Sequence, residues 1–149
     1  MIIGDILVVV SCSAKKIWDK EPWRGPTAAK EAYIGPLFKL ARKYAERKGY
    51  DWIILSAKYG FIEPDYTISG NYNVTFNNPK TKPISLEILR KQVKEKKLYR
   101  YSRVIVLASK RYVEIVRKAF QGYNIRIEAP LEGLPIGKML AKLKSMIEE

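Results

Sequence analysis

The chain has 149 residues, 47% hydrophobic and 29% charged, which suits one globular domain with a single core rather than a disordered segment. Its 28 Lys and Arg against 15 Asp and Glu give a formal net charge of +13, which favours an anionic partner: a nucleotide, a nucleoside phosphate or nucleic acid. No histidine and one cysteine exclude the usual zinc sites, an internal disulfide and every histidine-based mechanism, and without an apolar run of the ~18 residues a membrane span needs, or a signal-peptide pattern, a cytoplasmic protein with no metal, cofactor or membrane partner is expected.

The first apolar run, "DILVVVS", is nearly continuous and β-branched, the pattern of a strand buried on both faces of a parallel sheet. It leaves through Ser11, Cys12 and Ser13, with Lys15 and Lys16 behind them. Gly35-Pro36 separates a short turn, "TAAKEAY", from a helix that starts at Pro36, aligns Leu37, Leu40, Ala41, Tyr44 and Ala45, and stops at Gly49. "DWIILS" is a second strand and leaves through Ser56, Lys58, Tyr59 and Gly60. From Gly60 to Pro83 the chain is rich in Asn, Tyr, Pro and Thr and reads as a long lid or binding loop. Ser85 caps a second helix with Leu86, Leu89 and Val93 inward. "RVIVLA" is a third strand that exits through Ser109, Lys110, Arg111 and Tyr112, and Tyr112, Val116, Ala119 and Phe120 form a third helical stripe. "YNIRIEA" alternates and reads as an edge strand. Its exit, "APLEGLPIGK", carries Glu132 and leads into a fourth helix with Ile136, Met139, Leu140, Leu143 and Ile147 inward.

Strand followed by helix, four times over, predicts a single α/β domain over residues 1–149. The expected form is three-layered: a four-stranded parallel sheet in the order 2-1-3-4 with helices on both faces. Ligands of such sheets bind beyond the carboxyl ends of the strands. The candidate ligand-binding residues are therefore Ser11, Cys12, Ser13, Lys15, Ser56, Lys58, Tyr59, Gly60, Ser109, Arg111 and Tyr112, with Tyr72 from the long loop. Any strand must end in a polar turn, but that explains polarity rather than the repeated pairing of Ser with Lys. Small residues at positions 11–13 imply a close approach to the backbone, and the lysines imply that what approaches is negative.

Cys12 reads as a small packing or backbone-contact residue rather than a nucleophile, because Trp18 stands where a cysteine-phosphatase loop beginning at Cys12 needs arginine. No Walker loop and no G-x-G-x-x-G follows the first strand. Trp18, Trp23, Tyr66 and Tyr72 fall in loops within reach of the rim, where aromatics beside cations either stack bases or cap the core. Asp65 and Glu132 are the candidate catalytic carboxylates: two such groups facing a bound sugar activate water and stabilise an oxocarbenium-like state. Their structural alternatives are a turn residue and an anion at a helix start. A rim-facing Glu132 is expected to be answered by Lys15 and Lys58.

"SCSAKK", "AYIGPLFKLARKYAE", "WIILSAKYGFIEPD", "YNVTF", "VIVLASKRYVE" and "PLEGLPIGKMLAKLK" together resemble a family of small prokaryotic and phage proteins known as a domain of unknown function. The resemblance covers nearly the whole chain and singles out Cys12, Lys15, Tyr33, Pro36, Ser56, Lys58, Gly60, Tyr72, Tyr112, Glu132 and Gly137. The chain departs from that pattern at Tyr59, Asn73 and Ser109, where His, Asp and Gly are common. Cys12-Ser13 after a first strand, followed by lysine, is also similar to a domain of archaeosine synthase, and the inferred strand order is similar to uracil-DNA glycosylases. The expected function is an enzyme acting on a nucleotide, nucleoside or nucleic-acid base, with phosphate held by Lys15, Lys58 and Arg111. The alternatives are a non-catalytic binder of nucleotide or nucleic acid, and a ligand-free protein with a merely basic, heat-adapted surface.

Overall fold

The computed structural model describes residues 5–149. Strands β1 (Ile6–Ser11), β3 (Asp51–Ser56), β6 (Arg103–Leu107) and β7 (Arg126–Glu128) run parallel in the spatial order β3-β1-β6-β7. The sheet nevertheless differs from the expected four-stranded parallel one. A fifth strand, β4 (Gly60–Ile62), folds back antiparallel on β3 and makes the sheet mixed. The stretch read as an uninterrupted loop also contains β5 (Thr67–Ile68), which pairs with β2 (Thr27–Ala28) in a separate two-stranded antiparallel ribbon.

Among the described residues there are six α-helices: α1 (Ile17–Lys20), α2 (Ala29–Ala32), α3 (Pro36–Lys48), α4 (Leu86–Glu95), α5 (Lys110–Ala119) and α6 (Ile136–Glu148). Strand alternation divides the core. Val8, Val10, Ile54 and Leu107 point to one face, where Phe38 and Ala41 of α3 and Met139 and Leu143 of α6 cover them. Leu7, Val9, Leu55 and Val106 point to the other, covered by Leu89 and Val93 of α4 and Val113 and Val116 of α5. Each buried Leu or Val of these rows contributes about 1.5–3 kcal/mol relative to exposure.

Local signals set the helix ends. Pro36 occupies the first turn of α3, and Gly49 ends it at φ 72°, donating its N–H to Ala45 and Glu46 carbonyls. Ser85 Oγ accepts the Ile88 N–H at 3.2 Å and caps α4. Leu86 and Ile136, expected inward, are 39% and 60% exposed. Each is the first residue of its helix, one turn before the inward stripe that packs on the sheet. Among the described residues no helix is long and apolar enough to cross a membrane.

Candidate functional site

The parallel register puts the exits of β1, β3 and β6 on one edge: Ser11 lies beside Leu55 and Val10 beside Leu107. The Cys12 N–H extends the ladder to the Leu55 carbonyl at 3.0 Å. The close approach expected at residues 11–13 is met from inside the protein. Gly35 packs so tightly on Ser13 that a Cβ there would lie 2.8 Å from the Ser13 Cβ. Ser13 Oγ accepts the Gly35 N–H at 3.2 Å and donates to the Lys15 carbonyl at 2.6 Å. Ser13 is thus a hinge pin between the β1 exit and the start of α3.

Lys16 bridges back to Tyr33, antiparallel, and this turns the Lys16 side chain inward. The residue is 4% exposed, its Nζ donates to the Ala14 carbonyl at 3.1 Å, and it lies 4.4 Å from the centre of the Tyr72 ring. Lys58 Nζ lies 5.2 Å from the same ring and 5.3 Å from that of Tyr59. Burial depresses the Lys16 pKa against the opposing pull of Cys12 and Asp19.

Around Tyr72 the hydroxyls form a connected set. Ser56 Oγ accepts N–H groups from Lys58 at 3.2 Å and Tyr59 at 3.1 Å, which occupies both lone pairs. Its own proton therefore goes to the Tyr72 oxygen, 3.0 Å away. Tyr72 also hydrogen-bonds the Tyr33 hydroxyl. Cys12 Sγ lies 3.4 Å from the Tyr112 hydroxyl. Burial pushes the Tyr72 phenol up to about 12 and raises Tyr33 and Tyr112 as well. It also raises the Cys12 thiol, outweighing the Tyr112 contact and the Lys16 ammonium. At neutral pH the cluster consists of neutral O–H and S–H groups beside cations, so Cys12 is not a thiolate.

An open pocket of about 460 Å³ adjoins this cluster, lined by Ala14, Asp19, Asn71, Tyr72 and Asn73. Asp19 accepts the Lys16 backbone N–H at 2.8 Å and the Asn71 amide at 3.1 Å, and these bonds hold its carboxyl below the ordinary range. A second pocket, of about 330 Å³, lies where the Ser11–Lys15 segment meets the starts of α3 and α6. A groove of about 400 Å³ along α3 contains neither the Cys12 loop nor Tyr72, and its Arg42 is already paired with Glu31 and Glu46.

Of the residues singled out from sequence, Ser56, Lys58, Tyr59 and Tyr72 are connected through these contacts, and Cys12 and Tyr112 form a second pair. Ser11 is buried beside them at the end of β1. Gly60 has φ 79°, and a Cβ there would run into Gln92 Oε1. Gln92 clamps that hairpin by accepting the Phe61 N–H at 2.8 Å and donating to the Tyr59 carbonyl at 3.0 Å. Ser109 precedes α5 without capping it, and Lys15 and Arg111 are exposed.

The two carboxylates proposed for chemistry fall elsewhere. Asp65 is 83% exposed and pairs with Lys30 at 2.8 Å. Glu132 is exposed and its cationic partner is Arg117, at 3.7 Å, rather than Lys15 or Lys58. Trp18, read as a loop residue, lies on α1 and is 5% exposed. Sequence reasoning missed Asp19 as a site carboxylate and preferred Lys15 to Lys16. The available signal was Asp19 three residues after Lys16, the spacing of a capping box at the start of α1.

Among known proteins, one from Bacillus subtilis (strain 168), described as the uncharacterized protein YfjM, is 37% identical over 144 residues, covering 96% of this chain and 95% of its own length. A crystal structure described as AF0587, a protein of unknown function, matches 98% of this chain at 16% identity with a TM-score of 0.42, too distant to carry an argument; this chain spans 45% of its length. The resemblance read from the sequence, to a family of unknown function, holds at that level. The model of the "Family of unknown function (DUF6884)" matches residues 7–145, and the chain belongs to that family.

Proposed function

We propose that this chain is an enzyme acting on a nucleotide, or on the nucleotide unit of a nucleic acid, and that it binds its substrate in the Asp19–Tyr72 pocket. The observation that carries this reading is the pocket's donor set. Asn73 supplies an amide of the kind that reads base edges, Asn71 orients the ionised Asp19 carboxylate, and Tyr72 supplies a ring face with two ammonium groups over it. Lys16 and Lys58 have no carboxylate within 4.0 Å among the described residues, so a phosphate is the fitting counter-ion. Asp19 takes the role first given to Asp65 and Glu132, stabilising positive charge that develops on a sugar or base. The likeness of the first-strand motif to an archaeosine synthase domain supports the same substrate class by analogy alone.

A non-catalytic binder is the second reading, favoured by the exposure and outside pairing of Asp65 and Glu132. Calorimetry with nucleoside 5′-monophosphates, together with chromatography for released base or phosphate, separates the two. An enzyme loses turnover in Asp19→Asn while keeping affinity; a binder shows no turnover and holds or gains affinity as a negative charge leaves a positive site. Absence of binding to every monophosphate at millimolar concentration overturns both.

A further inference from the structure

Resting on that reading of the pocket, we infer that the natural ligand is a single-stranded nucleic acid rather than a free nucleotide, and that Trp23 stacks the base next to the one in the pocket. Trp23 is 80% exposed, yet its turn is firmly built. The Arg24 N–H closes it onto the Glu21 carbonyl at 3.0 Å. The buried Trp18 indole N–H reaches the Arg24 carbonyl at 2.8 Å and the Gly25 carbonyl at 3.2 Å. Trp18 sits on α1 beside Asp19, which lines the pocket, so one helical turn carries both the pocket carboxylate and the anchor of the Trp23 turn.

Presenting a large indole to water on a fixed turn gains nothing for the fold, whereas a rigid aromatic offers a stacking face at little entropic cost. Charge selects the occupant. Lys15 lies just before α1 and Lys20 ends it, both exposed and without a carboxylate within 4.0 Å among the described residues. Arg24 is already matched by Glu21 at 3.1 Å. A strand with one base in the pocket and the next on Trp23 would offer the phosphate between them, and those on either side, to Lys15 and Lys20. Duplex DNA cannot do this, because its bases are already stacked on one another.

The test uses fluorescence anisotropy of fluorescein-labelled dT12, rU12 and a 12-base-pair duplex at several salt concentrations, alongside calorimetry with a nucleoside monophosphate. The full-length protein is expected to prefer the single strands, with affinity that falls as salt rises. Trp23→Ala should weaken oligonucleotide binding about tenfold or more and leave monophosphate binding unchanged. Trp23→Phe should retain most of the affinity, which also covers a failure of the alanine variant to fold. The dT12 and rU12 arms tell DNA from RNA. Equal oligonucleotide affinity in Trp23→Ala, a preference for duplex, or a Trp23-dependent binding to phosphatidylserine vesicles without oligonucleotide binding would each overturn the inference. Loss of monophosphate binding in the unaltered protein would instead count against the pocket.

Discussion

Around Asp51 and Arg103, on one side of the sheet, the charged groups answer one another; at the exits of β1 and β3 they do not. Near the starts of β3 and β6 the Tyr101 hydroxyl donates to Asp51 at 2.7 Å and accepts from Arg100 at 2.8 Å. Arg103 holds Glu128 in a two-pronged bond at 2.7 and 2.9 Å, and Arg126 adds a third contact at 3.4 Å. At the opposite edge Lys16 and Lys58 rest on tyrosine rings, and the nearby Asp19 carboxylate is oriented by a backbone N–H and an amide rather than paired with either lysine. One edge closes its electrostatics within the fold. The other retains positive charge that the fold does not neutralise, which is the condition for taking up an anion.

The largest effect should come from the hairpin that presents Lys58 and Tyr59. Gly60→Ala puts a Cβ into Gln92 at a positive φ, and urea unfolding should report a loss of about 2–4 kcal/mol. A loss well below that would show that Gln92 yields and that the rim is softer than the amino edge. Next, Lys16→Met should lower nucleotide affinity at least tenfold with little change in stability, since a buried ammonium on a ring is replaced by an apolar group of similar length. Because burial depresses the Lys16 pKa, the unfolded chain binds the extra proton between that value and 10.5. Wild-type stability should therefore rise relative to Lys16→Met as pH climbs through this window, as denaturation at stepped pH can show. A flat difference would mean that Lys16 is solvated.

Glu128→Gln probes the other edge and should cost about 1 kcal/mol near neutral pH, a value discounted for partial exposure. Arg103 lowers the Glu128 pKa below 4.5, so the stabilisation is present above 4.5 and disappears as pH falls through the folded value. Ligand affinity should not move. Smallest of all, Asp65→Asn and Glu132→Gln should leave melting temperature and nucleotide affinity unchanged within error. A fall in turnover for Glu132→Gln would restore it to the mechanism and blur the contrast between the edges.

β1, β3 and β6 could be read from sequence because burial on both faces demands continuous apolar runs, and few other contexts tolerate them. β4 escaped because it has three residues inside a polar, aromatic stretch. Its signal was the three-residue loop before Gly60, whose left-handed conformation is the mark of a bulged hairpin. Rim membership followed from topology, so Ser56, Lys58 and Tyr112 were legible. Glu132 was not, since a strand's exit tells where a loop begins but not which way it turns, and this one turns toward Arg117 on α5. Asp19 lay on a single helical turn signalled only by its spacing from Lys16, and the Lys16–Tyr33 bridge that precedes the turn is a contact no local pattern announces.

β1 precedes the other strands of the described residues and lies in the middle of the sheet, with consequences for synthesis. Its partner β3 is complete once Ser56 has been made, but its other neighbour, β6, arrives roughly fifty residues later. At elongation rates of about 5–20 residues per second, the nascent chain spends roughly 3–10 s with one side of β1 unpaired. If β1, β3, β4 and α3 assemble during that interval, their half-sheet has an open edge that can template pairing with another nascent chain. A ribosomal pause after β3 has emerged and before β6 has lengthens this exposure, whereas a pause after β6 has emerged leaves β1 already flanked.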